Sequence, residues 1–200
     1  PALADISAYL YNDHNTDPLI KAALVHYQFE MIHPFERYNG IIGRILVPMV
    51  LRDTIGEAMP LICLSEYLYH NKNEYFDLLR TTQYSGGYVR WIKFFVNAIG
   101  EVAKKSAVLM TQYERIVTLD EHRLMEISKS PKSILEIYNY LKRVPVTTIT
   151  VTERKLGFSF NTVSKLFHSL QGYGIVECHQ PSYRNRVFRY SELENLMSAD

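Results

Sequence analysis

Little in this chain is of the kind that braces a secreted or membrane protein. Only two cysteines occur in 200 residues, Cys63 and Cys178, far apart, which argues against a disulfide framework and suits a reducing compartment. No run of about eighteen apolar residues is present to span a bilayer, and the first residues lack the pattern of a signal peptide. A cytoplasmic protein with no membrane partner is expected. Charge of one sign is lacking too: 22 basic residues stand against 21 acidic ones, for a net charge of +1. No global field therefore gathers nucleic acid, although local basic faces are not excluded. Period-two alternation is missing from the first half, so a sheet is not the scaffold there. What is present is apolar, 47% of the residues with 22% charged, the composition of an ordinary globular protein with a core.

The apolar residues recur at helical spacing. Leu3, Ile6 and Leu10 share one face of a first helix. Asp17 is placed to cap a second, with Pro18 in its first turn, where a missing N–H costs little. Ile20, Ala23, Leu24, Tyr27 and Met31 follow at three- and four-residue steps and deliver the chain to His33. Glu30 lies one turn before that histidine, where it either orients the ring or, as expected, is solvated. Beyond the loop, Ile41, Ile42, Ile45, Leu46, Met49 and Val50 mark a third helix, in which Pro48 should bend the axis. Pro60 should introduce a connector, and Ser65 should cap a helix over about 66–82 with Tyr67, Leu68, Phe76 and Leu79 inward. Gly86-Gly87 precedes a long helix over about 88–119 carrying Trp91, Phe95, Ile99 and Val102.

Between the second and third helices stands the stretch His33-Pro34-Phe35-Glu36-Arg37-Tyr38-Asn39-Gly40-Ile41-Ile42-Gly43-Arg44. A helix that starts at Asn39-Gly40 carries unpaired N–H groups and the positive end of its dipole, so Gly40 to Gly43 offer amides to an anion such as phosphate. Arg44, one turn in, adds a planar charged fork, and His33 is placed to take a proton from an attacking hydroxyl. A purely structural turn before a buried helix is the competing reading.

This segment resembles the signature of the Fic family, His-Pro-Phe-x-(Asp/Glu)-Gly-Asn-Gly-Arg-x-x-Arg. The likeness extends through Asp17 to Ala23, His26 to Glu30, Leu64 to Tyr67 and Tyr88 to Ile92. It implies a Fic-like helical bundle that transfers AMP from ATP to a hydroxyl of a target protein. By that resemblance His33 is the general base, Asn39, Gly40 and Gly43 line the phosphate turn, and Arg44 holds the distal phosphates. Tyr75 and Gln83 fall roughly where family members contact the nucleobase. Three signature positions depart: Arg37 replaces the metal-binding acid, Tyr38 the first glycine and Ile41 the first arginine. Mg2+ needs a carboxylate beside phosphate oxygens, so Mg2+ is not expected in its usual place, and no metal ligands are assigned. Arg37 either neutralises phosphate directly, giving weak or atypical activity, or marks a site reduced to nucleotide binding or to none. The family's target-aligning flap and its inhibitory Ser/Thr-x-x-x-Glu-(Gly/Asn) helix are not recognisable from Pro1 onward.

After about Ser130-Pro131 the pattern shortens. A boundary is expected at 120–131, between a Fic-like domain over 1–119 and a smaller one over 132–200. Helices near 133–141, 151–156 and 161–171 and strands near 175–178 and 186–190, joined by a polar turn over 181–185, make an order that resembles a winged helix-turn-helix. The third of these helices should turn Ser159, Asn161, Thr162, Ser164, Lys165 and His168 outward, with Arg184 and Arg186 on the wing, the types that meet phosphates and base edges. Nine basic residues against six acidic ones from Lys132 onward are a modest surplus for duplex DNA. A protein-docking or homodimer module is the competing use. The fold class expected is mainly α, and the expected function is AMP transfer to protein hydroxyls, with a non-catalytic nucleotide-sensing or DNA-binding regulator as the alternative.

Overall fold

The computed structural model describes residues 2–56, 62–127, 131–179 and 186–198. The chain forms two compact units, Pro1–Ala107 and Val108–Asp200. In the first, α1 (Ala2–Asn12), α2 (Pro18–Ile32), α3 (Asn39–Val50), α4 (Arg52–Ile55), α5 (Ser65–His70) and α6 (Lys72–Ser85) are followed by α7 (Tyr88–Ile127), whose later residues belong to the second unit. Asp17 caps α2 as its position suggested, its Oδ1 accepting the N–H of Leu19 at 2.9 Å and of Ile20 at 3.4 Å, with Pro18 first in the helix. On α1, Ile6 is buried and Leu3 is exposed.

The first core gathers Ala22, Ala23 and Tyr27 of α2, Val47 and Leu51 beside α3, Leu78 and Leu79 of α6, and Trp91, Phe95 and Ile99 of α7. Ala22 and Ala23 are fully buried, so the small side chains let neighbouring helices approach the α2 backbone. Trp91 uses that approach, its Nε1–H donating to the Ala23 carbonyl at 2.8 Å. Full burial of large apolar side chains contributes about 1.5–3 kcal/mol each.

The helix expected over 66–82 is broken at Asn71, whose Nδ2 donates to the Tyr67 carbonyl at 2.9 Å. The residue's own N–H still donates to that carbonyl at 3.0 Å, and the break lies in its backbone, which leaves the helical region at φ -104, ψ 27. The interruption shifts the inward stripe: Tyr75, Leu78, Leu79 and Thr82 are buried, whereas Phe76, expected inside, is 54% exposed. The long helix also outruns its expected end at 119. Residues 120–127, expected as linker, are helical, and Asp120 and Leu124 are buried in the second core.

The second unit continues with α8 (Pro131–Leu141), β1 (Val146–Thr148), α9 (Ile149–Leu156), α10 (Phe160–Gly172), β2 (Glu177–His179), β3 (Val187–Arg189) and α11 (Ser191–Met197). The strands make an antiparallel sheet in the order β1-β3-β2, with Thr147 and Cys178 both opposite Phe188. Val163, Leu166, Phe167 and Leu170 of α10 are buried against Phe188, Ile137 and Leu141. A hydrogen-bonded chain crosses this core: Tyr138 O–H donates to Tyr190 Oη at 2.9 Å, and Tyr190 O–H donates to Asp120 Oδ2 at 2.5 Å. Burial raises both phenols above their ordinary pKa, and the paired hydroxyls leave no unmet donor there.

Candidate functional site

The site begins where α2 ends. Pro34 bars the residue before it from continuing a helix; His33 is left-handed (φ 48, ψ 57), and its N–H still donates to Phe29 O at 3.0 Å. The imidazole is left exposed. Asn39 closes the loop through its buried carboxamide. Its Oδ1 accepts the N–H of Phe35 at 2.9 Å and its Nδ2 donates to the carbonyl of Phe35 at 2.6 Å. Tyr38, also left-handed at φ 68, leads into α3 without a side-chain cap. Its carbonyl takes the N–H groups of Ile41 and Ile42, each at 3.0 Å. The expected amide cradle of Gly40 to Gly43 is thus narrowed, because those two N–H groups are spent inside the first turn.

Arg44 reaches back along α3, as long helical side chains do. A Cβ added to Gly40 would stand 3.3 Å from Arg44 Nη1, so the guanidinium lies over the first turn. Its Nε donates to Ser65 Oγ at 3.0 Å, which ties it to the start of α5. Arg37 and Glu36 are exposed on the loop.

Gly43, assigned to the phosphate turn, has a packing reason of its own. It is buried, and a Cβ there would collide with Glu30 Oε1 and come within 3.2 Å of His26. α2 and α3 touch at this glycine. Glu30 is not solvated as expected: its Oε1 is buried with no hydrogen-bond partner. Burial raises its carboxyl above the usual range, against the opposing pull of His33 and Arg44. One half-buried carboxyl therefore stands within the field of both the candidate base and the candidate phosphate clamp.

His26 completes the cluster from beneath. Its Nδ1–H donates to the Gly43 carbonyl at 2.9 Å, and its Nε2 accepts the Tyr75 hydroxyl at 3.0 Å. The ring packs against Phe95 and Trp91, with centroids 4.7 and 6.2 Å away. Such surroundings favour the neutral imidazole, and burial lowers its pKa to about 4. Tyr75, proposed from the resemblance for the nucleobase, is a core residue bonded to His26. Gln83 is exposed on α6. His26 and Ser65 have no site role in the sequence reading. His26 was legible, since 26, 30 and 33 fall on one stripe of a helix.

In the second unit Ser159 caps α10, its Oγ accepting the Thr162 N–H at 3.2 Å. Asn161 and Lys165 are exposed, Thr162 is half-buried, and Arg186 Nη1 lies 3.5 Å from His168 Nε2. Arg184 and the turn over 181–185 lie outside the described residues, as does Pro60. A cleft of about 840 Å3 is lined by Asp13, Lys21, Met49 and Asp53 at the other end of the α2–α3 pair from His33.

These features define a helical domain in which a histidine turn feeds the N-terminus of a buried helix. Residues 1–51, which contain the whole His33–Arg44 segment, match the model of the Fic/DOC family. A crystal structure of a Fic family protein from Desulfovibrio desulfuricans G20 is similar at 19% identity over 94% of this chain, with a TM-score of 0.49. The match covers 54% of that protein, so this chain spans about half its length. Among the described residues no helix is long and apolar enough to cross a membrane.

Proposed function

We propose that the first unit is a Fic-type domain that transfers AMP from ATP to a hydroxyl of a protein target. The observation that carries this reading is the joint placement of an exposed His33 in a left-handed turn and Arg44 folded over Gly40, within the segment that matches the Fic/DOC family. In the step proposed, His33 takes the proton of the acceptor hydroxyl, whose oxygen attacks the α-phosphorus of ATP. The bond from that phosphorus to the bridging oxygen breaks, giving an AMP ester on the target and free pyrophosphate. Arg44 and the first turn of α3 meet the phosphate charge by preorganised donors.

The family's chemistry implies Mg2+, and the residues here do not fit that ion. Arg37 brings a cation to the loop position where the resemblance places the acid, whereas Mg2+ is held by one or two carboxylates beside phosphate oxygens. Arg37 takes the charge-neutralising part instead. Incubation with labelled ATP tests the reading: label on protein that persists without Mg2+ and disappears in His33→Ala is expected. Arg37→Asp should make labelling depend on Mg2+. ATP bound without any label in the wild-type protein overturns transfer and leaves nucleotide sensing.

A second reading has its own support in the second unit, where β1, α9, α10 and the β2–β3 pair follow the order of a winged helix. There the protein is a regulator that contacts duplex DNA through Asn161, Lys165 and Arg186. Lys165→Ala with Arg186→Ala should weaken DNA binding and flatten its salt dependence; no binding by the wild type at low salt removes it.

A further inference from the structure

Glu30 takes no part in the transfer step, yet it lies beneath the turn that the step uses. Its Oε1 is buried and accepts no hydrogen bond. A Cβ added to Gly43 would collide with that oxygen, and one added to Gly40 would stand 4.0 Å from it and 3.3 Å from Arg44 Nη1. The carboxyl thus fills room that two glycines leave, and it borders Gly40 together with the guanidinium. Arg44 does not bond to Oε1; its Nε donates to Ser65 Oγ. The titratable groups around the carboxyl are His26 of α2, His33 of the turn, Arg44 of α3 and Tyr75 of α6, while α7 brings the apolar Trp91 and Phe95 against His26.

We propose that Glu30 sets how much phosphate charge the turn accepts: a polyphosphate over Gly40 and Arg44 is held while the carboxyl is neutral and is opposed once it is ionised. This rests on the phosphate site proposed above. A carboxylate beneath bound phosphate repels it, and buried surroundings weaken the screening. Protonation removes that repulsion and breaks no hydrogen bond of Oε1. Burial already raises this carboxyl, against the pull of His33 and Arg44. A nearby anion raises it further, so by linkage binding takes up a proton there. Apart from His33, its neighbours supply no such dependence near neutral pH. His26, lowered by burial to about 4, and Tyr75, raised by burial, are both neutral there, and arginine keeps its charge.

Calorimetric titration of the full chain with ATP, from about pH 5 to about pH 8, tests this. His33→Ala serves as the background, since it stops turnover and removes the imidazole's own titration. With Glu30 in place, affinity should fall by about tenfold across that range relative to Glu30→Gln in the same background, the size of one charge pair met in a partly buried site. The two proteins should bind alike at the acid end, and the titration of ATP itself cancels between them. A purely structural glutamate gives the same ratio at every pH, and that result overturns the proposal, as does weaker binding by Glu30→Gln at the alkaline end. A second measurement, with residue 30 unchanged, covers a variant that fails to fold. In carbon NMR of the His33→Ala protein, the Glu30 carboxyl titration should move to higher pH when ATP is bound, and an unmoved curve overturns the proposal. ATP bound but never transferred by the wild type removes the transfer reading alone and leaves this inference standing; a wild type that binds no ATP removes both.

Discussion

Two helix-to-helix turns, one in each unit, solve the same problem with different residues. Between α9 and α10 the left-handed position is Gly157 (φ 74), and Ser159 caps the next helix through its side chain. Between α2 and α3 the left-handed positions are His33 and Tyr38, and α3 starts without a side-chain cap. Non-glycine residues there cost about 1–2 kcal/mol each in backbone strain. The second unit's turn minimises strain, whereas the first unit's turn holds it at two side chains that are exposed. Packing beneath the turns differs as well. The α9 region buries a hydroxyl pair, Thr147 and Thr152 at 3.3 Å, while the α2–α3 contact buries the titratable His26 and Glu30.

Acid should separate the two regions most strongly. His26 has a pKa near 4 in the folded chain against 6.5 for the free side chain, so between these values the unfolded state binds more protons. Its contribution is complete above pH 6.5 and is lost as pH falls through 4, by about 3 kcal/mol in all. Glu30 works in the opposite sense, because its raised pKa makes protonation favour the fold as pH drops; the Glu30→Gln background isolates the histidine. Hydrogen exchange from pH 7 to 4 should show α2 and α3 amides losing protection before those of α9 and α10. Equal loss in both regions would sink this account of His26.

A milder break is Gly43→Ala. The new methyl displaces the free end of Glu30, which can move, and presses on His26, which is pinned at both ring nitrogens. A cost of about 1–2 kcal/mol is expected, read as a lower denaturant midpoint with unchanged protection in α10. On the other side of the comparison, Ser159→Ala removes the α10 cap and should cost about 1 kcal/mol, with no change in α3. Unaltered stability in that variant would mean the Ser159 bond to Thr162 adds nothing.

The helical bundle was legible because its apolar residues recur with a period that only a helix satisfies. Asp17 and Pro18, and the inward stripe of α10, were readable for the same local reasons. What escaped was set by contacts distant in sequence or by short elements. β1 is three residues long, below the span at which alternation declares itself, and is held by pairing with β3 about forty residues on. Asn71 reads as one more helical residue, yet its backbone leaves the helical region at φ -104, ψ 27 and splits the helix in two. Tyr75 read as a ligand contact by resemblance, yet its hydroxyl belongs to His26 on a helix far earlier in the chain.

The smallest effect tests whether strain in the first turn serves anything. Tyr38 is 69% exposed, so replacing it removes little packing, and glycine adopts its φ of 68 without the Cβ clash. Tyr38→Gly relieves that clash but gives the unfolded chain more freedom, and the balance should favour the fold by about 0.5–1 kcal/mol. A gain in thermal stability together with weaker nucleotide binding would show that the tyrosine is kept at a cost for what it does at the mouth of α3. Should stability rise while binding stays the same, the left-handed turn is only a way of joining two helices, and the contrast with Gly157 loses its functional meaning.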